Sequence, residues 1–461
     1  MTGQLAQMQI GPDLLLLLPA LSGVVTGVLA LGAAMFDRPR WAFWTTVFGL
    51  LVAGALAIPL LGRQETVFLG TYRIDALSTW TALILLPATA LVAALTRSEI
   101  HGSDREAAIY SLLAFTTTGA LVLAGAGDLL FLVLGVLISS LGAFGLVAYR
   151  RDARGTEAAM KYFVFGSVSE AVMIFGLTFW FGAAGSTLLA DLGRLNDSRP
   201  PALAGLVGVL VGLGYKAAIT PFHFWAPDAY DGAPTSVAAY VSVVPKVGAI
   251  FGLAQSVRDL PDSVVDWRLL VALLSALSMT YGNLAALVQS NVVRLLAYSS
   301  IAQAGYFLLG VVAVGRTPLA TQALIVFAAA YAAMNLGAFA IVLRVGRDLA
   351  AFSGYGRLAP VGGAWLVIFL LSLVGVPPLA GFFGKLLLFG AALDAGFGWL
   401  AVVAIVNSVL SLAVYLRWLV PCYQTPVSEH AVSSGGRVSA IAAALVVGLG
   451  LGVQLLLARI Q

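Results

Sequence analysis

Four lysines pose the chemical question in this chain. Lys161, Lys216, Lys246 and Lys385 are the only lysines among 25 basic residues, and all four fall inside or at the mouth of apolar runs. The arginines sit almost entirely in the polar stretches between those runs. The split has a physical meaning. A guanidinium stays protonated in essentially any protein environment, whereas an ammonium group taken out of water can give up its proton. Either charge at the centre of a membrane helix costs roughly 2.5–3.5 kcal/mol even on the lenient insertion scale. Lysines in such places can pass protons through an apolar interior, and arginines cannot. Lys216 stands in "GLVGVLVGLGYKAAITPFHFW", five residues before Pro221 and seven before His223. Lys385 closes "GVPPLAGFFGK", which holds Pro377 and Pro378, and Lys246 directly follows Pro245. Three of the four therefore lie beside a residue that interrupts a helix, where released carbonyls can hold water. The competing role is structural: a lysine that snorkels or is satisfied by a carbonyl.

Carboxylates extend the set. Glu157 and Lys161 are four residues apart and share one helix face, either as an ion pair capping the span or as part of a proton route. Glu170 lies deeper, flanked by Val168, Ala171, Val172 and Met173. A carboxyl group there needs a lysine partner or stays protonated. Asp128, in "AGAGDLLF", reads as a helix cap. Hydroxyls and amides cluster in "YGNLAALVQSNVVRLLAYSSIAQAGYF", Tyr298 and Gln303 among them. Such groups hold water between titrating side chains or simply join helices.

The elements that must position these residues are membrane helices. The chain has 461 residues, 60% hydrophobic and only 10% charged, more apolar surface than one soluble core can bury. A spanning helix takes ~20 apolar residues, and such runs recur about fourteen times. The fold class is therefore an all-α polytopic membrane protein. Two spans are expected to be broken: the seventh, over 202–224, at Pro221, and the twelfth, over 360–395, at "GVPPLAGFFGK". Paired broken helices five spans apart point to inverted repeats with a site near the midplane. If the N-terminus is outside, thirteen arginines fall in inside loops and eight outside, which places both termini outside. The single cysteine, Cys422, excludes an internal disulfide or a multi-cysteine metal site. His101, His223 and His430 show no ligand spacing. The net charge of +4 is mostly loop arginine and gives no sign of nucleic acid as a partner.

Six segments carry a resemblance. "LGYKAAITPFHFWAPDAYDGAPTSVAAYVSVVPK", "NLAALVQSNVVRLLAYSSIAQAGYFLLG", "YAAMNLGAFAIV", "FSGYGRLAP", "SLVGVPPLAGFFGKLLLF" and "NSVLSLAVYLRWL" follow in order between about Leu77 and Leu419. They resemble the antiporter-like membrane subunits of bacterial NADH-quinone oxidoreductase (complex I), the subunit N branch above all. Mrp-type antiporter and membrane-hydrogenase subunits are relatives of that group. The resemblance implies three N-terminal helices over 1–100 and a first five-helix repeat, helices 4–8, over 101–258. It implies a second repeat, helices 9–13, over 259–420, and a last helix over 421–461. It implies proton translocation along a hydrated axis in the bacterial inner membrane, with both termini periplasmic. Lys216, Lys246 and Lys385 match the lysines of helices seven, eight and twelve, and Glu157 and Lys161 match the pair that opens helix six. NADH, FMN, iron–sulfur clusters and quinone are expected in partner subunits, with no cofactor or metal in this chain. Three positions depart from the pattern. Leu137 stands where helix five usually has a glutamate, Val293 where a lysine precedes Arg294, and Gln303 where a histidine follows "YSSI". Glu170 is the expected replacement for the lost glutamate. The alternatives are an Mrp-type or hydrogenase subunit, or a structural subunit that no longer pumps.

Overall fold

In the computed structural model, residues 10–197, 199–425 and 436–460 are described. His430 and most of the segment before the last helix lie outside them. Among the described residues, twelve helices are long and apolar enough to cross a membrane. After a short helical segment, Ile10–Leu16, come the first long helices, α1 (Leu18–Met35) and α2 (Pro39–Ala57). A small antiparallel ribbon follows, β1 (Glu65–Val67) paired with β2 (Tyr72–Ile74), which the apolar runs did not foretell. Then come α3 (Ala76–Ile100), α4 (Glu106–Ala124), α5 (Leu129–Val147) and α6 (Ala153–Ala184). Asp128 caps α5 as expected, its carboxylate accepting from Phe131 N at 2.7 Å.

The seventh span is broken where Pro221 stands. α7 (Arg199–Ala217) stops, and the chain resumes as the short α8 (Ala226–Gly232). Ala218 takes a left-handed backbone with φ of 56°, which costs a non-glycine residue about 1–2 kcal/mol. The freed groups are met inside the protein. Ile219 N donates to Gly214 O at 2.8 Å, and Thr220 N to Ser278 Oγ at 3.0 Å. Trp225 Nε1 takes the carbonyl of Tyr215 at 2.9 Å.

The second half runs through α9 (Thr235–Val257), α10 (Trp267–Leu287), α11 (Val292–Ala313) and α12 (Leu319–Val345). The twelfth span is broken into α13 (Pro360–Val374) and α14 (Ala380–Asp394). Each has 15 residues, about 22 Å of helix, which falls short of a ~30 Å hydrocarbon core. Only together do they cross, so the break sits inside the membrane. Gly375 ends α13 in the left-handed region with φ of 96°, a conformation glycine adopts at little cost. α15 (Gly398–Cys422) and α16 (Arg437–Leu451) are the last long helices, followed by the short segment Val453–Leu457.

Pro245 was expected to loosen its helix. Instead α9 continues through it without interruption. Every residue of α9 is buried, and Tyr331 Oη of α12 donates to the Ser242 carbonyl at 3.0 Å. Packing on all sides holds the helix where the proline removes one bond. α9 touches α4, α11 and α12, while α1, α2 and α15 turn apolar side chains outward. The buried centre therefore lies around α9, α11 and α12.

The break at α13–α14 depends on close backbone approach. Gly381 N donates to Ser372 Oγ at 3.1 Å, and a Cβ on Gly381 would overlap the Ser372 carbonyl oxygen. Gly381→Ala is expected to lower stability by about 1–3 kcal/mol, the range for overpacking, read as a lower melting temperature of the purified protein. Gly182→Ala, where added carbon meets open space, serves as the neutral control.

Candidate functional site

Three helices build the first cluster. Packing of α6 on α7 is close because glycine faces glycine: a Cβ on Gly176 would stand 2.8 Å from Gly208 Cα. That contact brings Glu170 of α6 and Lys216 of α7, both buried, to one place beside α5. The two do not meet directly. Lys216 Nζ donates to Ser140 Oγ of α5, and Ser140 Oγ donates to Glu170 Oε1. Leu137, the position where the resemblance places a glutamate, is 37% exposed on the same helix, and its outward neighbours Leu134 and Leu141 are exposed too. The carboxylate facing Lys216 thus comes from α6. Sequence reading named Glu170 and missed Ser140. Its signal was weak: the second serine of "ISSLG", on the inward face of a helix whose other face is leucine.

Among the described residues, no carboxylate is paired with the second lysine. Lys246 Nζ donates to Ser300 O at 2.6 Å and to Ser300 Oγ at 2.9 Å. Ser300 Oγ in turn lies 3.1 Å from Tyr230 Oη of α8. Lys385, four residues past Gly381, donates to Val374 O at 2.9 Å, a carbonyl at the end of α13 that has no partner within its own helix. Its ammonium lies 4.0 Å above the Tyr306 ring and 3.4 Å from Ser408 Oγ. Gln303 Nε2 takes the neighbouring free carbonyl, Leu373 O, at 3.2 Å. Pro221 and Pro377 mark the two breaks, each with a cis peptide bond at or just after it.

α11 joins the last two lysines. Ser300, Gln303 and Tyr306 recur at helical spacing on one face, Ser300 holding Lys246 and Tyr306 underlying Lys385. Six residues of helix separate those two contacts, about 9 Å along the axis. Midway, Gln303 Oε1 is buried and has no hydrogen-bond partner among the described residues. His223 Nδ1 is buried and likewise has no hydrogen-bond partner among the described residues, with its ring 4.6 Å from that of Tyr281. Tyr298, half-buried, packs edge-on against Tyr281, the ring centroids 6.3 Å apart.

Glu157 and Lys161 form their expected ion pair at 2.7 Å, at the water-facing end of α6, where Glu157 is 65% exposed. Lys161 lies nine residues before Glu170, about 14 Å of helix away. Sequence reading missed its second partner. Asp228 of α8 binds Lys161 at 2.8 Å and Arg294 of α11 at 2.8 Å, tying the two halves of the chain together. The legible signal was a carboxylate seven residues after the proline of a broken helix. Among the described residues, no group of three or more His, Cys, Asp or Glu is arranged to hold a metal ion.

The geometry has counterparts in known proteins. Residues 126–411 match the family model described as NADH:quinone oxidoreductase/Mrp antiporter, TM. NADH-quinone oxidoreductase subunit N 1 of Streptomyces griseus is 38% identical, over 96% of each chain. F(420)H(2) dehydrogenase subunit N of Methanosarcina mazei is 35% identical, over 95% of this chain and 96% of that one. A chain of respiratory complex I from Thermus thermophilus superposes with a TM-score of 0.83 at 33% identity, covering 95% of this chain and 98% of that one.

Asp228→Asn removes both ion pairs at the mouth of the site. Partly exposed pairs contribute roughly 0.2–1 kcal/mol each. The variant is expected to fold, to lose about 1 kcal/mol of stability, and to exchange amide hydrogens faster over α8. High salt applied to the unmodified protein should move exchange there in the same direction.

Proposed function

Because the chain belongs to the NADH:quinone oxidoreductase/Mrp antiporter family of membrane subunits, we propose that it moves protons as the subunit N of a complex I-like assembly. It is a multi-pass membrane protein of that group, and its relatives work within multisubunit membrane complexes. The redox reaction belongs to partner subunits, which hold NADH or another donor, FMN, iron–sulfur clusters and quinone. That one relative is an F(420)H(2) dehydrogenase subunit fits a translocating module served by different donors.

The observation that carries the reading is the set of three buried lysines held by neutral groups. An ammonium locked to a carboxylate is costly to part from it, 3–5 kcal/mol when one partner of a buried pair is removed. Lys246 and Lys385 instead rest on carbonyl and hydroxyl dipoles, which accept from an ammonium and tolerate a neutral amine. In this reading, redox chemistry elsewhere changes the field or hydration at the Lys216 end. Lys216 gains or loses its carboxylate partner Glu170, and a proton passes by water to Lys246 and on to Lys385, which exchanges with the outside. Glu170 replaces the helix-five glutamate lost at Leu137. Gln303 holds water between the second and third lysines where relatives use a titratable group. Glu157, Lys161 and Asp228 form the aqueous mouth of α6. The two halves, 101–258 and 259–420, are inverted five-helix repeats, and both termini face the periplasm of a bacterial inner membrane.

A second reading rests on the departures at Leu137, Val293 and Gln303: a space-filling subunit that no longer pumps. The two part on variants of the assembled complex in sealed vesicles. Lys216→Ala and Lys385→Ala are expected to reduce protons moved per electron, and Glu170→Gln to match Lys216→Ala in severity. Unchanged stoichiometry in the lysine variants would establish the structural role, and near-normal pumping in Glu170→Gln would remove that residue from the route. Gln303→Leu, which keeps bulk and removes the amide, is expected to slow pumping severalfold while leaving assembly intact. Purification in mild detergent with mass spectrometry of companions identifies the parent complex. NADH-oxidising, iron–sulfur and quinone-site subunits are expected, and antiporter or hydrogenase companions alone would replace the complex I assignment.

A further inference from the structure

We propose that Ser140 is the proton relay between Lys216 and Glu170, so that this chain forms and dissolves its first ion pair through a hydroxyl. The inference rests on the reading that Glu170 is the acid partner of Lys216. Its own basis is the connectivity of three buried side chains on three helices. Ser140 is fully buried on α5, and Glu170 on α6 and Lys216 on α7 are nearly so. Ser140 Oγ accepts from Lys216 Nζ and spends its single proton on Glu170 Oε1. The hydroxyl thus has both neighbours in the roles a relay needs, one donating to it and one accepting from it.

The step balances without any other reactant. An N–H bond of the Lys216 ammonium breaks as an O–H bond forms at Ser140 Oγ. The original O–H bond of Ser140 breaks as one forms at Glu170 Oε1. The products are a neutral amine, an unchanged serine and a neutral carboxylic acid. The reverse step restores the ion pair. Charge disappears from both ends together, so neither an isolated ammonium nor an isolated carboxylate is left in the apolar interior, where each would be strongly disfavoured. A direct pair needs no such intermediary. Here the acid comes from α6 instead of α5, and the serine of α5 fills the gap that remains. Ser140 therefore acts as a positioning and relay residue, with Lys216 and Glu170 as the titrating groups.

Proton translocation per electron in sealed vesicles, with infrared difference spectra of the same complex, tests the relay. The carboxyl band of protonated Glu170 is assigned by its disappearance in Glu170→Gln. Ser140→Ala is expected to lower translocation to the Glu170→Gln level and to abolish or shift that band. Ser140→Thr, which keeps a hydroxyl, is expected to restore both. Ser140→Cys keeps the volume with a weaker donor and is expected to pump at a reduced rate, which covers the case in which the alanine variant does not assemble. Full pumping with an unchanged carboxyl band in either Ser140→Ala or Ser140→Cys overturns the relay. Outcomes separate the two levels: normal pumping in Glu170→Gln removes the acid partner itself, whereas a defective Glu170→Gln beside a normal Ser140→Ala removes only the serine.

Discussion

Within a bilayer, a polar group released from a helix has to find its partner inside the protein, and that constraint ties each break in this fold to the lysine beside it. α13 ends at Val374 with carbonyls that have no intrahelical donor. Lys385 takes the Val374 carbonyl and Gln303 the Leu373 carbonyl, while Ser372 Oγ meets the amide of Gly381. Break and charge thus solve each other's problem. The carbonyl that would be costly in lipid is the ligand of an ammonium that would be costly there too. The α7–α8 break follows the same logic with different partners: Trp225 donates to the Tyr215 carbonyl and Ser278 accepts from the Thr220 amide, which leaves Lys216 to face Ser140.

What surrounds each lysine also sets what it can do. Lys161, at the aqueous edge, is gripped by Glu157 and Asp228, and two carboxylates favour the charged form of the amine. Lys246 and Lys385 have hydroxyls and carbonyls. Lys216 stands between these cases, with a carboxylate one hydroxyl away. The gradation runs from carboxylate partners at the mouth to neutral dipoles in the interior. It arises from which helix supplies the neighbour: α8 sends an aspartate, α11 a serine, and α13 only its backbone.

Much of this was legible in the sequence because a membrane imposes length and polarity directly. Apolar runs of about twenty residues marked the spans. "ITPFHFW" and "GVPPLAGFFGK" marked the breaks, because proline and glycine act locally on the backbone. Asp128 was readable as a cap for the same reason. The illegible features depend on neighbours distant in sequence. Pro245 leaves α9 intact because buried packing and Tyr331 support it, and nothing within "VSVVPKVG" announces either. The pairing of β1 with β2 involves three-residue strands too short for periodicity. Ser140 and Asp228 owe their importance to partners 30 to 76 residues away in the chain, and a serine within an apolar helix has an ordinary role in most folds.

The departures at Leu137, Val293 and Gln303 acquire a common meaning once the contacts are placed. Leu137 points outward among leucines, so a glutamate there would approach Lys216 from the periphery, whereas Glu170 does so from a buried position. Gln303 fills the interval of about 9 Å between the Ser300 and Tyr306 contacts with an amide, one end fixed on Leu373 and the other unpaired. An amide cannot change charge, so it adds no competing cation between Lys246 and Lys385. Val293, buried at the start of α11, leaves Arg294 to hold Asp228. Each substitution removes a titratable group while the polar scaffold around the three buried lysines stays complete. A chain relieved of proton traffic would be free to lose those lysines first, since they are the most costly groups to keep in lipid. Their retention, each hydrogen-bonded to a polar neighbour, argues for a route with fewer charged stations and more of its length carried by hydroxyls, amides and water.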